Sequence, residues 1–420
     1  MLSYKTLAIF SAAVAALPLA AAVAQTTPVA APQAVVPGGQ PTAAEPTAPA
    51  PPPLPPVVWD PVSAQDLVYY IRQVGADGLD PAFYDPEGLE AAIRTGNPAV
   101  ISPAATERFN ALSSDLALGH VRKSARIGWH IVDKDLDSAA QDTMLRTALF
   151  TRRLGDVLNG LLPTHPQYAA LKAALEVTPA SETAKRDRIR LNMDRWRWLP
   201  RELGDKYIIV NVPGFHATLV ENGVNRWKQK AIAGATKTPT PQLAVMATGV
   251  IVNPWWEVPP SITGEVAGRP GYVKSSDGKR WRQPPGPRNA LGQMKFVMYN
   301  PQNIYLHDTN ARSRFSSRMR ALSHGCIRTE HIHDLAKELL ADDGGEWTPD
   351  KVDAQIASGK TKQLNFAKPV PVYIVYFSAA GLNDGRIVDY QDLYGRDGKA
   401  MAALKSKDGT AAAPKKVASR

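Results

Sequence analysis

The chain's single cysteine lies among residues that could make it a nucleophile. Cys326 belongs to the run SHGCIR at 323–328, and fifteen residues separate His307 from the start of that run. A thiol must ionise to attack a carbonyl carbon, so it needs a positive local field and a base to take its proton. Arg328 would supply a fixed positive charge, and His307 or His324 could act as the base. These residue types at this spacing indicate cysteine-dependent catalysis.

The surroundings of the cysteine suit the same chemistry. A helix expected to begin near Thr329 would direct the positive end of its dipole toward the thiol. Gly325 has no side chain, which lets backbone N–H groups approach a developing oxyanion. Tyr305 and His307 project from one face of their strand, because the period of a strand is two residues.

Two other interpretations of these residues remain open. A lone cysteine is often a buried apolar residue, and a histidine on a strand is often structural. A metal site could also draw on the cluster His307, Asp308, His324, His331 and His333. However, His331 and His333 are two residues apart in a predicted helix and would not share a face. In an exported protein an idle thiol is open to oxidation, which favours the catalytic interpretation.

Composition bounds the fold and excludes several classes of protein. The chain has 420 residues, with 49 Lys and Arg against 39 Asp and Glu, and a net charge of +10. At about 150 residues per domain, this length predicts two or three domains. One cysteine excludes an internal disulfide framework and a cysteine-rich zinc module. Residues 405–420 carry a large share of the excess charge, so the remainder is too thinly spread for a nucleic-acid-binding surface.

The two ends of the chain predict export and flexible segments. Residues 1–24 have Lys5, an apolar run and Ala22-Val23-Ala24, which is typical of a cleavable signal peptide; an uncleaved anchor is the alternative. We therefore expect a periplasmic protein with no transmembrane segment after cleavage. Residues 25–58 contain eleven prolines and predict an extended linker. Residues 396–420 are expected to be a basic, disordered tail.

Two regions of different periodicity lie between these ends. Residues 59–200 show a helical period, and four helices are expected: one capped by Ser63, one capped by Ser102 before Pro103, one over 142–161 and a basic one over 181–199. Residues 201–395 change to a period of two. The expected strands are 206–212, 215–221, 226–233, 246–252, 293–299, 303–308 and 370–377. Residues 253–292, rich in Pro, Gly and Trp, predict an ordered flap.

The motifs around the cysteine resemble those of a known family. YLHDTN at 305–310 and SHGCIR at 323–328 are similar to the signature of L,D-transpeptidases with a YkuD-type catalytic domain. NMDRWRWLP at 192–200, NPWWEVPPSI at 253–262 and PGPRNALGQMKF at 285–296 resemble the larger YcbB-like subgroup. The resemblance covers about residues 60–395. A small peptidoglycan-binding module that often precedes NMDRWRWLP has no counterpart here.

The resemblance implies an α+β fold, with a helical scaffold domain before a β-sandwich catalytic domain that carries a capping flap at 253–292. It implies acyl transfer on peptidoglycan stem peptides, with no metal and no cofactor. The thiol would attack the carbonyl of diaminopimelate, release the terminal D-Ala and form a thioester, which an acceptor amine resolves into a 3→3 crosslink.

The resemblance also implies roles for individual residues. Cys326 would be the nucleophile and His307 the base. Three residues would orient the base or hold the oxyanion: Tyr305, Asp308 and Gly325. Five residues would contact the substrate: Ser323, His324, Arg328, Trp255 and Trp256.

Several questions about function stay open at this stage. The same site could use water instead of an amine, which would make the protein a carboxypeptidase or amidase. A non-catalytic wall-binding protein is a further alternative. The partners expected are the donor and acceptor stem peptides, while docking of other cell-wall synthases is left open.

Overall fold

The computed structural model describes residues 55–132, 135–344, 346–382 and 386–411. The expected signal peptide, most of the proline-rich linker and the end of the basic tail lie outside these residues. Within the described part of the chain, no helix is long and apolar enough to cross a membrane.

The first half of the described chain is helical, as its periodicity predicts. The helices are α1 (Pro61–Gln73), α2 (Pro86–Arg94), α3 (Pro98–Leu118), α4 (Ser138–Thr151), α5 (Leu154–Asn159), α6 (Pro166–Val177) and α7 (Thr183–Arg197). Buried apolar residues of α1 to α5 form one core, which includes Leu67, Phe109 and Leu145.

Two helix starts differ from the prediction, for the same reason. The side chain of Asp60, not that of Ser63, caps α1, and Asn97 caps α3 upstream of Ser102. Each true cap stands directly before a proline in the first helical position, where a proline loses no hydrogen bond. Pro103 then lies inside α3. The single helix expected over 142–161 is divided into α4 and α5 at Arg152, whose φ of 53° is left-handed.

The second half of the chain is mainly β. It contains β1 (Lys206–Asn211), β2 (His216–Glu221), β3 (Val224–Gly234), β4 (Leu243–Val252), β5 (Trp256–Glu257), α8 (Thr263–Val266), β6 (Val273–Lys274), β7 (Trp281–Gln283), β8 (Met294–Met298), β9 (Leu306–His307), β10 (Ala321–Ser323), β11 (Ile327–Thr329), α9 (Ile332–Ala341), α10 (Pro349–Ala357), β12 (Lys362–Val375), β13 (Ala379–Gly381), β14 (Ile387–Asp389) and α11 (Asp397–Leu404). The expected α+β class is therefore confirmed.

Nine of these strands form one sheet that closes on itself. Their order is β10-β3-β11-β9-β8-β4-β12-β1-β2, and β2 also pairs with β3. The core of this sheet includes Ile208, Phe296 and Leu306, and α9 packs Leu335 and Leu339 into the same cluster. Strands β13 and β14 form a separate two-stranded antiparallel sheet.

The segment 253–292 forms a small unit of its own. Strands β5, β7 and β6 make a three-stranded antiparallel sheet. Val258, Ile262 and Val266 form a separate apolar cluster beneath it, with Trp256 and Trp281 packed against them. We call this segment the flap.

Helix α7 lies between the helical region and the sheet. Its buried residues include Ile189 and Trp196, which share a core with Tyr207 of β1 and Tyr373 of β12. Helix α7, which the sequence predicts as a basic helix, is also buried at polar positions such as Asp194. Burial is possible because these side chains are hydrogen-bonded.

Residues 396–411 were expected to belong to a disordered tail, but the structure places a helix and buried side chains there. Helix α11 buries Ala400, Ala403 and Leu404 in the same core as α7. The guanidinium of Arg195 also donates to Asp397, with 2.7 Å between nitrogen and oxygen. The sequence did not predict this helix because its buried face consists mainly of alanines.

Candidate active site

Two neighbouring parallel strands position the thiol and the imidazole. Strand β11 pairs with β9 so that Ile327 lies opposite Leu306 and Arg328 opposite His307. The backbone N–H of Ile327 donates to the carbonyl of Tyr305 at 3.0 Å. Cys326 directly precedes β11, so it lies at the end of β9 from which Tyr305 enters the strand.

The loop that carries the cysteine is held by its own hydrogen bonds. The hydroxyl of Ser323 donates to the carbonyl of Cys326 at 2.5 Å and accepts from the N–H of Gly325 at 3.1 Å. The hydroxyl of Thr240 donates to the carbonyl of Gly325 at 2.7 Å. Gly325 has a φ of 114°, a backbone conformation that L side chains rarely adopt. A rigid loop thus fixes the nucleophile.

The side chain of Ser323 is engaged within the loop. It is buried, with 3 % exposure, and both of its hydrogen bonds stay inside the loop. Ser323 therefore shapes the loop that carries the nucleophile, while its expected contact with the substrate stays a prediction.

The thiol of Cys326 is half-buried and uncharged at rest. Its sulfur lies 3.6 Å from the carbonyl oxygen of Asn303, which accepts the S–H. Burial raises the pKa of the thiol, while the backbone and hydroxyl of Tyr305 and the charges of Lys295 and Arg328 oppose that rise. Because burial prevails, attack requires transfer of the proton to a base.

His307 provides a neutral imidazole. Burial and the nearby guanidinium of Arg328 lower the pKa of His307 to about 3. The Asp308 carbonyl attracts the imidazolium form, but no described atom meets hydrogen-bond geometry with Nδ1 of His307. The ring packs edge-on to Tyr305, with 5.6 Å between centroids. At neutral pH the ring is therefore in the form that can accept a proton.

The carboxylate of Asp308 is occupied by other partners. It accepts from the N–H of Gln293 and from Arg312, both at 2.9 Å, and lies 3.4 Å from Nε2 of His333. Burial opposes ionisation, but the interactions with His333 and Gln293 hold the pKa of Asp308 at about 2. Any orientation of His307 by this residue would have to come from its carbonyl.

The helix dipole expected at the thiol is displaced. Strand β11 intervenes between Cys326 and α9, and α9 begins only at Ile332 after His331, whose φ of 52° is left-handed. A dipole acts within about the first turn of its helix. Nearby side-chain charges, not the helix, supply the positive field. His331 and His333 are also separated, since His331 caps the helix and His333 faces Asp308.

The flap reaches the catalytic loop at two points. The exposed His324 lies with Nε2 3.2 Å from a carboxylate oxygen of Glu265 in α8. The indole N–H of Trp256 approaches the Tyr305 hydroxyl without meeting hydrogen-bond geometry. Trp255 instead packs under Arg282, 4.5 Å from its guanidinium. Trp256 is thus beside the site, while Trp255 is engaged within the flap.

Two residues near the thiol were not identified from the sequence. They are Asn303, whose carbonyl contacts the sulfur, and Lys295, which pairs with His307 across β8 and β9. The expected strands 293–299 and 303–308, joined as a hairpin, would already have set Lys295 opposite His307. Among the described residues, no group of three or more His, Cys, Asp or Glu is placed to hold a metal ion.

Two known domain families match the helical half and the β half of the described chain. The family described as the L,D-transpeptidase catalytic domain, YkuD, matches residues 205–372, and a scaffold domain family matches residues 56–175. Residues 205–372 therefore match an L,D-transpeptidase catalytic domain. The resemblance seen in the motifs is thereby confirmed.

One curated relative shares sequence similarity with part of the chain. A Haemophilus influenzae protein, provisionally named an L,D-transpeptidase, is 30% identical over 251 residues, which are 53% of this chain and 50% of that protein. The chain thus spans about half the length of the curated relative that it matches.

Solved structures of L,D-transpeptidases are also similar in part. The enzyme from Mycobacterium smegmatis is 15% identical, with 41% of this chain and 58% of that chain covered and a TM-score of 0.23. L,D-transpeptidase 1 of Mycobacterium tuberculosis is 15% identical, with 41% and 61% covered and a TM-score of 0.20. These likenesses are too low to support a functional argument.

Proposed function

We propose that this protein is a peptidoglycan L,D-transpeptidase that uses Cys326 as its nucleophile. The observation that supports this most directly is the β9–β11 pairing within the L,D-transpeptidase domain. His307 lies in β9, while Tyr305 and Cys326 directly precede β9 and β11, so the pairing supports a site around one half-buried thiol.

The first half of the reaction is acylation of the enzyme by a donor stem peptide. His307 takes the thiol proton as the sulfur attacks the carbonyl carbon of diaminopimelate, and a C–S bond forms. The backbone N–H of Cys326 and the hydroxyl of Tyr305 hold the oxyanion. The C–N bond to the terminal D-Ala then breaks, and the proton passes from His307 to the leaving amine.

The second half transfers the acyl group to an acceptor. The side-chain amine of a second stem attacks the thioester, and His307 takes a proton from it. The C–S bond breaks, a 3→3 crosslink forms, and the thiol is restored with that proton. We place this reaction in the periplasm, on the basis of the signal peptide expected in residues 1–24.

Intact-mass analysis of the purified protein with a tetrapeptide donor tests this proposal. We expect a thioester adduct on Cys326, which disappears when an acceptor amine is added and a crosslinked product accumulates. Cys326→Ala should form neither adduct nor product, and equal crosslinking by that variant would contradict the proposal. Adduct turnover to free tripeptide, even with acceptor present, would instead assign a hydrolase.

A further inference from the structure

Lys295 is a half-buried cation beside the nucleophile. Its ammonium lies 4.3 Å from the centroid of the Tyr305 ring. Within the described part of the chain, no carboxylate lies within ion-pair distance of it and no hydrogen bond engages it. The nearby Glu257 is paired with Arg282 at 2.6 Å. A half-buried charge that lacks a partner is costly to keep, so this arrangement calls for an explanation.

The lysine faces a cavity that adjoins the thiol. The cavity has a volume of about 540 Å³, and its wall includes Lys295, Tyr305, Asn303 and Asn300. Tyr305 and Asn303 are also the two residues that contact the sulfur of Cys326. A group bound at Lys295 would therefore lie next to the bond that the thiol attacks.

The electrostatics of the lysine agree with an anion-binding role. Burial lowers the pKa of Lys295, while Cys326 and Glu257 oppose that shift. A bound carboxylate would supply the missing counter-charge at short range. Among the described residues, the carboxylate that acts on Lys295 is that of Glu257, and it is already paired with Arg282.

We propose that Lys295 and the adjoining cavity bind a carboxylate of the donor stem peptide. The inference rests on the proposed function and adds the residue that selects an anionic donor. Two carboxylates lie close to the scissile bond, that of the terminal D-Ala and that on the side chain of diaminopimelate. The ammonium would fix the donor so that the diaminopimelate carbonyl faces the sulfur.

The test compares three donors with the wild type and two variants. The donors are the parent tetrapeptide, the same peptide with an amide at the terminal D-Ala, and the same peptide with an amide on the diaminopimelate side chain. Lys295→Met removes the charge, and Lys295→Arg retains it. Lys362→Met is the matched control, because Lys362 is exposed and also lies over an aromatic ring, 4.6 Å from Trp347.

We expect Lys295→Met to raise KM for acylation by the parent donor about 10- to 100-fold, the range for a lost hydrogen bond to a charged group. Lys295→Arg should recover most of that loss, and Lys362→Met should behave as wild type. Amidation of the bound carboxylate should raise KM of the wild type to the value of Lys295→Met with the parent donor, and it should not raise KM of that variant further. The donor whose amide raises KM in this way identifies which carboxylate is bound.

An unchanged KM in Lys295→Met, or equal effects of both amides on variant and wild type, would overturn the inference. If Lys295→Met does not fold, KM for acylation is compared between the wild type and Lys295→Arg with the three donors. If neither amide raises KM in either protein, the inference is wrong. Absence of a thioester in the wild type with every donor would refute the proposed function, and the inference with it. If the wild type forms the thioester and Lys295→Met does so with the same KM, the inference is wrong while the proposed function stands.

Discussion

Arg328 lies directly opposite His307 in the parallel pairing of β11 with β9. Residues that face each other across a ladder project to the same side of the sheet. The guanidinium therefore repels a proton on the imidazole, and it adds to burial in lowering the pKa of His307. The arginine of the SHGCIR run thus acts on the base as well as on the thiol.

Removing this charge should shift the acid limb of the pH–rate profile upward. In Arg328→Gln we expect the limb of kcat/KM that reports His307 to move to higher pH by about one unit, since an adjacent charge shifts a pKa by one unit or more. Arg328→Lys keeps the charge and should stay near the wild type. The measurement is the pH dependence of donor acylation, and a limb at the same or lower pH in Arg328→Gln would show that the charge does not act on the base.

Tyr305 should govern how readily the thiol ionises. Its hydroxyl favours the thiolate of Cys326, against the burial that raises the thiol pKa. We expect alkylation by iodoacetamide to rise with a midpoint at higher pH than that of a free cysteine in the wild type, and at still higher pH in Tyr305→Phe. Acylation by the donor should fall about 10- to 100-fold in that variant. A wild-type midpoint below neutral pH would mean that the thiolate forms at rest.

Much of the site was predictable because short-range sequence patterns determine it. The period of two placed Tyr305 and His307 on one strand face, and the SHGCIR run identified Cys326. The role of Ser323 was not predictable, since its partners depend on how the loop folds back on itself. The same holds for Asp308, whose carboxylate meets Gln293 only because β8 and β9 are paired.

Long-range packing explains where the predicted fold differs from the structure. The sequence predicts the first and last residues of β1 and β2 to within one residue. Closure of the sheet, however, depends on the pairing of β2 with β3 and on the register of β12. Helix α11 lies in the segment that was expected to be a disordered tail, and its buried face offers mainly alanines. Its burial depends on α7, which is distant in the sequence.

The motif NMDRWRWLP should matter for stability rather than for chemistry. Asp194 is buried and accepts from the backbone N–H groups of His120 and Val121 and from the indole of Trp198, at 2.7, 3.1 and 2.7 Å. Asp194→Ala leaves these donors unsatisfied. We expect it to lower the free energy of unfolding by about 3 kcal/mol or more.

The exposed Asp156, paired with Arg153 at 2.6 Å, gives the matched control for Asp194. Asp156→Ala should cost about 0.5 kcal/mol or less, because exposed ion pairs contribute little. Urea unfolding of both variants measures the difference. Similar losses in the two would show that the Asp194 hydrogen bonds do not anchor α7 to the α3–α4 connection.

The buried imidazole of His307 should make the protein less stable in mild acid. Its pKa is about 3 when folded, against about 6.5 when unfolded. Below that unfolded value the unfolded chain binds a proton that the folded protein does not, so stability is lost as the pH falls from about 6.5 toward 3. At pH 5 this linkage amounts to about 2 kcal/mol relative to pH 8.

His307→Gln removes this titration while keeping a polar side chain of similar size. Burial also lowers the pKa of His165 and of His216 to about 4, but both remain in the variant and cancel in the comparison. The free energy of unfolding in urea, measured at pH 8 and pH 5, should therefore fall by about 2 kcal/mol less in His307→Gln than in the wild type. Equal falls in the two proteins would mean that His307 is protonated in the folded state at pH 5, and it would then be a charged acid rather than a neutral base at the onset of the acid limb.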